Sequence, residues 1–480
     1  MQRWQAPNAS ISHQVNLAFT PPVRAKGDWN VALKGRISPN MFPAKFGFDP
    51  AAAPSCANDY VVFGTTATGT TGGNSNLVAF NNLYSATVAN GGPGFCGLVP
   101  TVLFAYNTSA AGGHIITSPV LSLDGKKIAF VESGTGFATF HVLTWTAGEG
   151  GIGTAHAPNM TTLPYSAANN NFSSPWVDYS DDVAYVGSDD GNIYKITGVF
   201  NGTPTLAGSP WPVLVGTNIH LTPPVLDRSR SVLMVGAANG NLYQINTSTG
   251  ALAGHVASLK VGNGTGHAIL GAPIVDVTNG TTFVVTGNDG TTGGVLVQVD
   301  TQTLAVLATA SIGLASHSGT AINIYQPAFS DSYYNDPNTG LVRLCGTGPA
   351  DINPWQYAFG FSGGRLQPAA VFAQQLTTTA SAQPAHCTGW TEFFNPNIGP
   401  GGTDFFYFGL TEDCTAPTGG FPDGCLVERV SDTVLNKVTL NGGPSGIVVD
   451  NSSTAAQASS IYLMADRVSN AYKFTQNGLK

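Results

Sequence analysis

The stretch FSSPWVDYSDDVAYVGSDDGNIYKITG, residues 172–198, decides the fold because it returns later in the chain. The second copy is HLTPPVLDRSRSVLMVGAANGNLYQINTSTG, residues 220–250, and it aligns without a gap so that Asp178 matches Asp227. A third copy starts with GAPIVDVTNGTTFVVTGNDG, residues 271–290. Self-similarity at a fixed period of about 20–50 residues is typical of repeat architectures.

Each copy consists of short apolar runs separated by Asp-Gly, Asn-Gly or Gly-Asn pairs. Such pairs favour tight turns between antiparallel strands, so each copy is predicted to be a small β-meander. A four-stranded meander repeated at this length is typical of a propeller blade. We therefore predict an all-β fold, with one β-propeller domain over residues 1–480 and eight four-stranded blades. Seven blades remain the alternative if the first or the sixth blade is miscounted.

The rest of the chain can be divided into blades around these copies. We assign the first blade to residues 41–108, the second to 114–166 and the fifth to 267–313. Beyond residue 313 the repeat becomes irregular, but strand-like runs fit a sixth and a seventh blade. The final blade has three strands, GIVVDNSS, SIYLMADR and NAYKFTQ. Its fourth strand is expected from HQVNLAFT or WNVALKG in the irregular segment 1–36, because joining both termini removes an open sheet edge.

Composition excludes several classes of function. Only 10% of the 480 residues are charged, and the net charge of −8 is spread thinly without a basic stripe. Nucleic-acid binding requires clustered Lys and Arg, so no nucleic-acid partner is expected. No apolar run reaches the roughly 18 residues of a membrane helix, and no membrane insertion is expected. The N-terminus lacks the apolar region of a signal peptide, although a signal removed before this numbering remains an alternative.

The six cysteines form pairs that lie close together in the sequence. None of them has the CxxC spacing of a zinc or redox site. Disulfides would place the protein in an oxidising compartment, at the cell surface or outside the cell. Six independent buried thiols are the alternative. The expected pairs are Cys56 with Cys96, Cys345 with Cys387, and Cys414 with Cys425.

The phrase SSPWVDYSDDVAYVGSDDGNIYKI, followed in the next copy by INTSTGALAG, resembles the quinoprotein-like (PQQ-type) propeller repeat. The match covers about residues 170–300. NLVAFNNLY and SPVLSLDGKKIAFVES are similar to parts of uncharacterised secreted propeller proteins of soil bacteria, which implies a role outside the cell. The repeat implies a fold and no single function, since dehydrogenases, assembly lipoproteins and adhesive surface proteins all use it.

The chain departs from the PQQ-containing dehydrogenases of that family. Their blades carry a tryptophan after the Ala-Thr-Gly turn, whereas Thr249-Gly250 leads here into ALAGHV. Those enzymes also place two adjacent cysteines against the quinone, and no two cysteines are adjacent here. We therefore expect no PQQ and no other cofactor, apart from the metal alternatives below.

Several histidines come just before the innermost strands of successive blades. Blade symmetry would gather their side chains near the channel axis, where neutral imidazoles could hold a divalent metal. The offsets to the following proline are five, four and six residues for the first three of them. A one-residue slip turns a strand side chain to the opposite face, so rim histidines bonded to water or carbonyls are favoured over a metal. The candidate ligands are His114, His220, His267 and His317.

Two groups of acidic residues are weaker candidates. Asp189 and Asp190 could bind calcium, but they lack the ligand series of a calcium loop. Since Asn239 replaces Asp190 in the next copy, a turn role is favoured for this residue. A carboxylate group in the seventh repeat could supply an acid and a base. Its members are Glu392, Asp404 and Glu412.

Aromatic residues concentrate in the irregular sixth and seventh repeats. On exposed loops such rings would suit stacking on sugars or contact with an extracellular protein partner. Packing between blades is the alternative for each of them. The candidate surface consists of Tyr325, Tyr333, Tyr334, Trp355 and Trp390.

Three functions remain open after this survey. The favoured one is a non-enzymatic secreted or cell-surface module that binds a glycan or a protein partner. The second is a metal-dependent, lyase-like carbohydrate-active enzyme with its histidine site at the channel mouth. The third is an assembly subunit that associates with its own copies.

Overall fold

Eight antiparallel sheets form a ring in the computed structural model. This confirms the predicted propeller and the count of eight blades. The structure describes residues 25–38, 41–47, 53–109, 112–248, 256–263, 269–291, 293–314, 316–317, 320–321, 323–378, 385–414, 423–430, 432, 434–451, 457–467 and 469–476.

The strands follow the chain from blade 1 to blade 8, after β1 (Lys26–Ala32), which joins blade 8. Blade 1 contains β2 (Ala44–Phe46), β3 (Tyr60–Gly64), β4 (Leu77–Asn81) and β5 (Thr101–Tyr106). Blade 2 contains β6 (Val120–Leu121), β7 (Lys127–Gly134), β8 (Phe137–Thr144) and β9 (Asn159–Ser166). Blade 3 contains β10 (Trp176–Asp178), β11 (Val183–Gly187), β12 (Asn192–Thr197) and a divided outer strand, β13 (Thr205–Leu206) and β14 (Val213–Leu214). Blade 4 contains β15 (Val225–Asp227), β16 (Val232–Gly236), β17 (Asn241–Asn246) and β18 (Val256–Lys260).

The second half of the ring is less regular. Blade 5 contains β19 (Ile274–Asp276), β20 (Thr281–Thr286), β21 (Val295–Asp300) and β22 (Val306–Ser311), and the short pair β23 (Ser316–His317) and β24 (Thr320–Ala321) follows it. Blade 6 contains β25 (Ala328–Phe329), β26 (Leu341–Thr347), β27 (Pro354–Ser362) and β28 (Arg365–Gln375), with α1 (Asp331–Asn335) inserted after β25. Blade 7 contains β29 (Thr391–Asn395), β30 (Thr403–Leu410), β31 (Gly424–Arg429) and β32 (Leu435–Leu440). Blade 8 contains β33 (Val448–Asn451), β34 (Ser459–Ala465) and β35 (Asn470–Thr475). Single 3₁₀ turns lie at Val88–Asn90 and Pro337–Thr339.

The repeated motif holds blades 3 and 4 together through the same polar contact. In blade 3 the Ser173 hydroxyl accepts a hydrogen bond from the backbone N–H of Gly187, at 2.7 Å. In blade 4 the Thr222 hydroxyl accepts the corresponding bond from Gly236, at 2.9 Å. A Cβ on Gly187 would lie 2.9 Å from this hydroxyl, so a side chain there would displace the contact. The hydroxyl thus ties the start of the first strand to the end of the second.

The buried core lies between neighbouring blades and consists mainly of side chains from their middle strands. All five positions of β11 and all five of β16 are buried, which explains their continuous apolar sequence. Fourth strands are more exposed, as in β18. Because middle strands are covered on both faces, their side chains cannot alternate between core and solvent.

The N-terminal strand closes the ring. β1 pairs with β35 in antiparallel register, so WNVALKG supplies the missing strand of blade 8, whereas HQVNLAFT lies outside the described residues. Asp28 on this strand forms a buried ion pair with Lys473. Lys45 of blade 1 forms a second buried pair with Asp450 of blade 8, at 2.6 Å. The junction between first and last blade is therefore built from paired charges as well as apolar contacts.

Three disulfides form with the predicted pairing. Cys56–Cys96 joins two loops of blade 1, and Cys414–Cys425 closes the base of a loop in blade 7. Cys345–Cys387 connects β26 of blade 6 to the segment that precedes blade 7. Over the described ranges, no helix has the length and apolar character required to cross a membrane.

The strand order gives the ring two different faces. The connection face carries the links between blades and the turns between second and third strands, such as 188–191 in blade 3. The turn face carries the turns between first and second strands, such as 179–182, and the loops between third and fourth strands, such as 82–100 of blade 1. These two names are used below.

Candidate functional site

A polar cavity of about 490 Å³ opens between blades 3 and 4, near the turn face. Cavities of roughly 300–1,000 Å³ are typical of small-molecule sites. Its walls come from the first three strands of blade 3, from the first strand of blade 4 and from the turns that follow the first and third strands of blade 4. The lining residues are Asp178, Asp181, Val183, Tyr185, Lys195, Leu226, Arg228, Ser231, Thr247 and Ser248.

Arg228 forms one wall of this interblade cavity by reaching back to blade 3. It follows β15 in the turn of blade 4, and its Nη1 donates to both carboxylate oxygens of Asp178 at 2.6 Å. Its Nη2 donates to Asp181 at 2.8 Å. The hydrogen bond that Arg228 donates to Asp181 raises the pKa of Arg228, which keeps the guanidinium charged. These contacts fix the arginine across the blade boundary while about half of its side chain stays exposed.

The opposite wall places a lysine beside two aromatic rings. Lys195 Nζ lies 5.8 Å from the ring centre of Tyr185 and 6.0 Å from that of Trp211. An ammonium group at such a distance is attracted by the ring electrons. Burial raises the pKa of Tyr185 to about 12, so its hydroxyl stays protonated at neutral pH and can both donate and accept.

Four polar groups of the lining make no hydrogen bond to other described residues. Neither Lys195 Nζ nor the hydroxyls of Tyr185, Ser231 and Ser248 hydrogen-bonds to another side chain or to the backbone in the described part of the chain. Polar groups in a concave site usually find a partner in protein, water or ligand. The cavity therefore offers four groups that have no hydrogen-bond partner among the described residues, next to a guanidinium and two carboxylates.

The cavity arises where blade 4 departs from blade 3. In the 49-residue alignment Arg228 corresponds to Tyr179, and Ser231 corresponds to Asp182. Tyr179 donates to the Leu121 carbonyl of blade 2, while Asp182 accepts from two backbone N–H groups of its own blade. The shorter Ser231 makes no such contact, although both residues share a left-handed backbone, with φ of 54° and 53°. This site could not be recognised from the residues that the two copies share. The two positions that differ, Arg228 and Ser231, indicate it.

The predicted histidines occupy different environments. His114 pairs through its backbone with Ser133, and its Nδ1 is buried without a hydrogen-bond partner in the described part. His220 is exposed on the connection face, where its Nδ1 lies 2.8 Å from Asp189 Oδ1 and this bond raises its pKa. His267 lies outside the described residues, and only the backbone of His317 is described, in β23. Across the described ranges, no three His, Cys, Asp or Glu side chains are close enough to hold a metal.

The acidic residue Asp190 stabilises the turn between the second and third strands of blade 3. Asp190 accepts from the N–H of Asn192 at 2.8 Å and from the hydroxyl of Tyr194 at 2.8 Å. In blade 4 Asn239 accepts from the N–H of Asn241 in the same way and donates its amide to the hydroxyl of Tyr243, which confirms the predicted turn role of Asp190. A calcium site at this turn stays a prediction.

The carboxylates of blade 7 separate into two places. Asp404 accepts from the backbone of Asp331 at 2.7 Å and shares a hydrogen bond with Glu392, and burial raises the pKa of Asp404. Glu412 lies 3.8 Å from Arg467 of blade 8 instead. An acid–base pair could thus involve only the first two, and they pack at the boundary with blade 6.

Most of the predicted aromatic surface lies inside the protein. Tyr325, Tyr333 and Trp390 are buried, so the prediction of an exposed surface does not hold for these three rings. Tyr333 packs on Phe329 because α1 folds back over the core, and Trp390 stacks on Phe408. Trp355 is partly buried. Only Tyr334 among the five is exposed, so the aromatics do not form one contact surface.

Comparison with known proteins gives the fold. Neither a protein-family model nor a curated protein sequence matches the chain. The structure of the Dos1 propeller is similar, with a TM-score of 0.51 and 11% identity, over 94% of this chain and 95% of that one. The computationally designed Ika8 protein gives 0.48 and 13% over 94% and 99%. The dihydro-heme d1 dehydrogenase NirN gives 0.46 and 13% over 91% and 77%. Of these three only the first has a TM-score above 0.5, and at 11% identity it supports a β-propeller fold and no function.

Proposed function

We propose that the chain is a non-enzymatic extracellular binding module that holds a glycan in the interblade cavity. The observation that carries this proposal is the set of four polar groups of the cavity that make no hydrogen bond to other described residues. A saccharide presents many hydroxyls, and these match the hydroxyl groups and the ammonium group of the lining. Both carboxylates of the lining, Asp178 and Asp181, are held by Arg228, which suits binding better than acid–base catalysis.

Charge in the cavity favours a neutral saccharide. Two carboxylates, Asp178 and Asp181, are balanced by two cations, Arg228 and Lys195. Arg228 is already engaged by both carboxylates, which leaves no strong excess field for an anionic or cationic ligand. Lys195 then serves as a hydrogen-bond donor to ligand oxygens. We therefore place neutral oligosaccharides ahead of uronic-acid or sulfated chains.

The extracellular setting rests on the disulfides and on the repeat. Three disulfides in one chain persist in oxidising compartments and are rare in the cytosol. The resemblance to PQQ-type propellers of secreted proteins supports the same location. Because none of the six cysteines pairs with an adjacent cysteine, we propose that the blade of that family serves here without its quinone.

Calorimetric titration of a panel of neutral and uronic-acid oligosaccharides tests the proposal. Lys195→Met should weaken binding of a neutral ligand at least about tenfold, which corresponds to about 1.4 kcal/mol. Lys260→Met is the matched control, since Lys260 is exposed on β18 and donates to the Asn239 carbonyl away from the cavity lining. Binding of no saccharide, or equal binding by the Lys195 variant, would overturn the proposed function.

The alternative is a metal-dependent carbohydrate-active enzyme at the channel mouth. It is supported by His114, whose buried Nδ1 lacks a partner in the described part and is free to coordinate. Elemental analysis of protein purified without chelators measures the metal per chain. Near-stoichiometric manganese, iron, copper or zinc that disappears in His114→Ala would favour this alternative over the binding module.

A further inference from the structure

Exposed apolar side chains concentrate in one loop of blade 1. This segment, residues 82–100, joins the third and fourth strands and is called the blade 1 loop. Val88 is 73% exposed, Phe95 54%, Leu98 45% and Val99 60%. These are four of the eleven large exposed apolar side chains in the described part of the chain. Such clustering is unusual, because apolar groups exposed together often mark a contact surface.

The loop is held rigidly, so its apolar side chains cannot collapse onto the core. Cys96 is tied to Cys56 by a disulfide, and its N–H donates to the Tyr84 carbonyl at 2.9 Å. Gly94 and Gly97 bond to each other across the turn that presents Phe95. The Phe95 N–H donates to Gln457 Oε1 of blade 8 at 3.2 Å. A preorganised loop loses little conformational entropy on binding, which favours association.

The loop itself and the strands on either side of it carry no charge. Residues 60–123 contain no Asp, Glu, Lys or Arg, in a chain whose net charge is −8. Lys26 of β1 lies beside the loop, where its Nζ is 2.8 Å from the position of a Cβ on Gly91. Lipid headgroups and nucleic acids would require a cluster of basic residues and not one lysine, and a glycan would require more donors than these side chains offer. A two-fold symmetric contact places the same patch on both partners, and it needs a patch that does not repel itself. An uncharged apolar loop meets this condition.

We propose that the blade 1 loop docks on the same loop of a second copy of this chain and forms a symmetric dimer. Phe95 and Val99 supply the apolar contact, and the disulfide holds them in place. The proposal is independent of the glycan cavity, which lies between blades 3 and 4. The two proposals can therefore fail separately.

Sedimentation equilibrium over a range of concentrations tests the dimer. The mass should rise from 49.5 kDa and level off at twice that value. Phe95→Ser combined with Val99→Ser should weaken association at least about tenfold. Val306→Ser combined with Val371→Ser is the matched control, because those side chains are 51% and 61% exposed on other blades. Thermal unfolding should be unchanged in both variants, since the altered side chains are exposed.

Three outcomes would overturn the proposal. The first is a protein that stays monomeric at the highest soluble concentration. This outcome would overturn the dimer even if the monomer bound neutral lipid vesicles through the loop. The second is a dimer that persists in the Phe95 and Val99 variant. The third is a mass that continues to grow without levelling off, which would indicate a filament instead of a closed dimer.

Discussion

Lys473→Met should destabilise the ring at the point where its two ends meet. The Lys473 and Asp28 side chains are 0% and 2% exposed, and they form an ion pair between β35 and β1. Burial lowers the pKa of Lys473 and raises that of Asp28, so neither charge is favoured without the other. Removal of the lysine leaves a buried carboxylate with Thr475 as a remaining partner.

The expected cost follows from this geometry. Breaking a buried ion pair by removal of one partner typically costs about 3–5 kcal/mol. At roughly 2.1 cal/mol/K per residue, the unfolding entropy of 480 residues is about 1 kcal/mol/K. The midpoint of thermal unfolding should therefore fall by about 3–5 °C. The loss should shrink as the pH falls through the raised pKa of Asp28, because the neutral acid tolerates burial.

Scanning calorimetry of single and double variants measures this effect. Asp28→Leu combined with Lys473→Met should recover most of the loss, since two apolar side chains replace both charges. The remaining deficit should be about 1 kcal/mol, from the lost acceptor of the Thr475 hydroxyl. Lys34→Met is the control, because Lys34 is exposed and next to β1. An unchanged midpoint in Lys473→Met would refute ring closure by the N-terminal strand.

Three further predictions concern single contacts. By NMR titration the pKa of His220 should lie above its ordinary value of 6.5 and should fall in Asp189→Asn. The ion pair should stabilise the protein fully below pH 6.5, and this stabilisation should be lost as the pH rises through the raised pKa of His220. Identical titration of His220 in both proteins would contradict the ion pair. Chemical denaturation should show Asp190→Ala losing about 1–3 kcal/mol while Asp190→Asn stays close to wild type, because an amide oxygen can cap the same turn. Replacement of Cys345 and Cys387 by Ser should cost about 2–4 kcal/mol, and an unaltered denaturation midpoint would argue against the bond between blades 6 and 7.

The fold could be predicted because the repeated copies use the same local hydrogen bonds. Ser173 and Thr222 bond the same backbone N–H, and Asp190 and Asn239 cap the same turn. Such contacts depend on residue types at fixed offsets and are visible in one sequence. The strand that completes blade 8 could be predicted as well, because an open edge would remain without it.

The interblade cavity could not be predicted in this way. It depends on Arg228 reaching back across a blade boundary and on the space left by Ser231, which are differences between copies. The prediction of an exposed aromatic surface was wrong for a related reason. The insertion after β25 looked like an exposed loop, but it forms α1 and turns Tyr333 towards the core. Packing between blades decides both cases, and a single sequence does not contain that geometry.

The most direct test of the account is a crystal structure with the tightest-binding neutral oligosaccharide from the titration panel. We expect one sugar unit between blades 3 and 4, with its oxygens bonded to Lys195, to Ser231 and to the Tyr185 hydroxyl. Saccharide bound elsewhere, with this cavity holding only water, would contradict the assignment of the site.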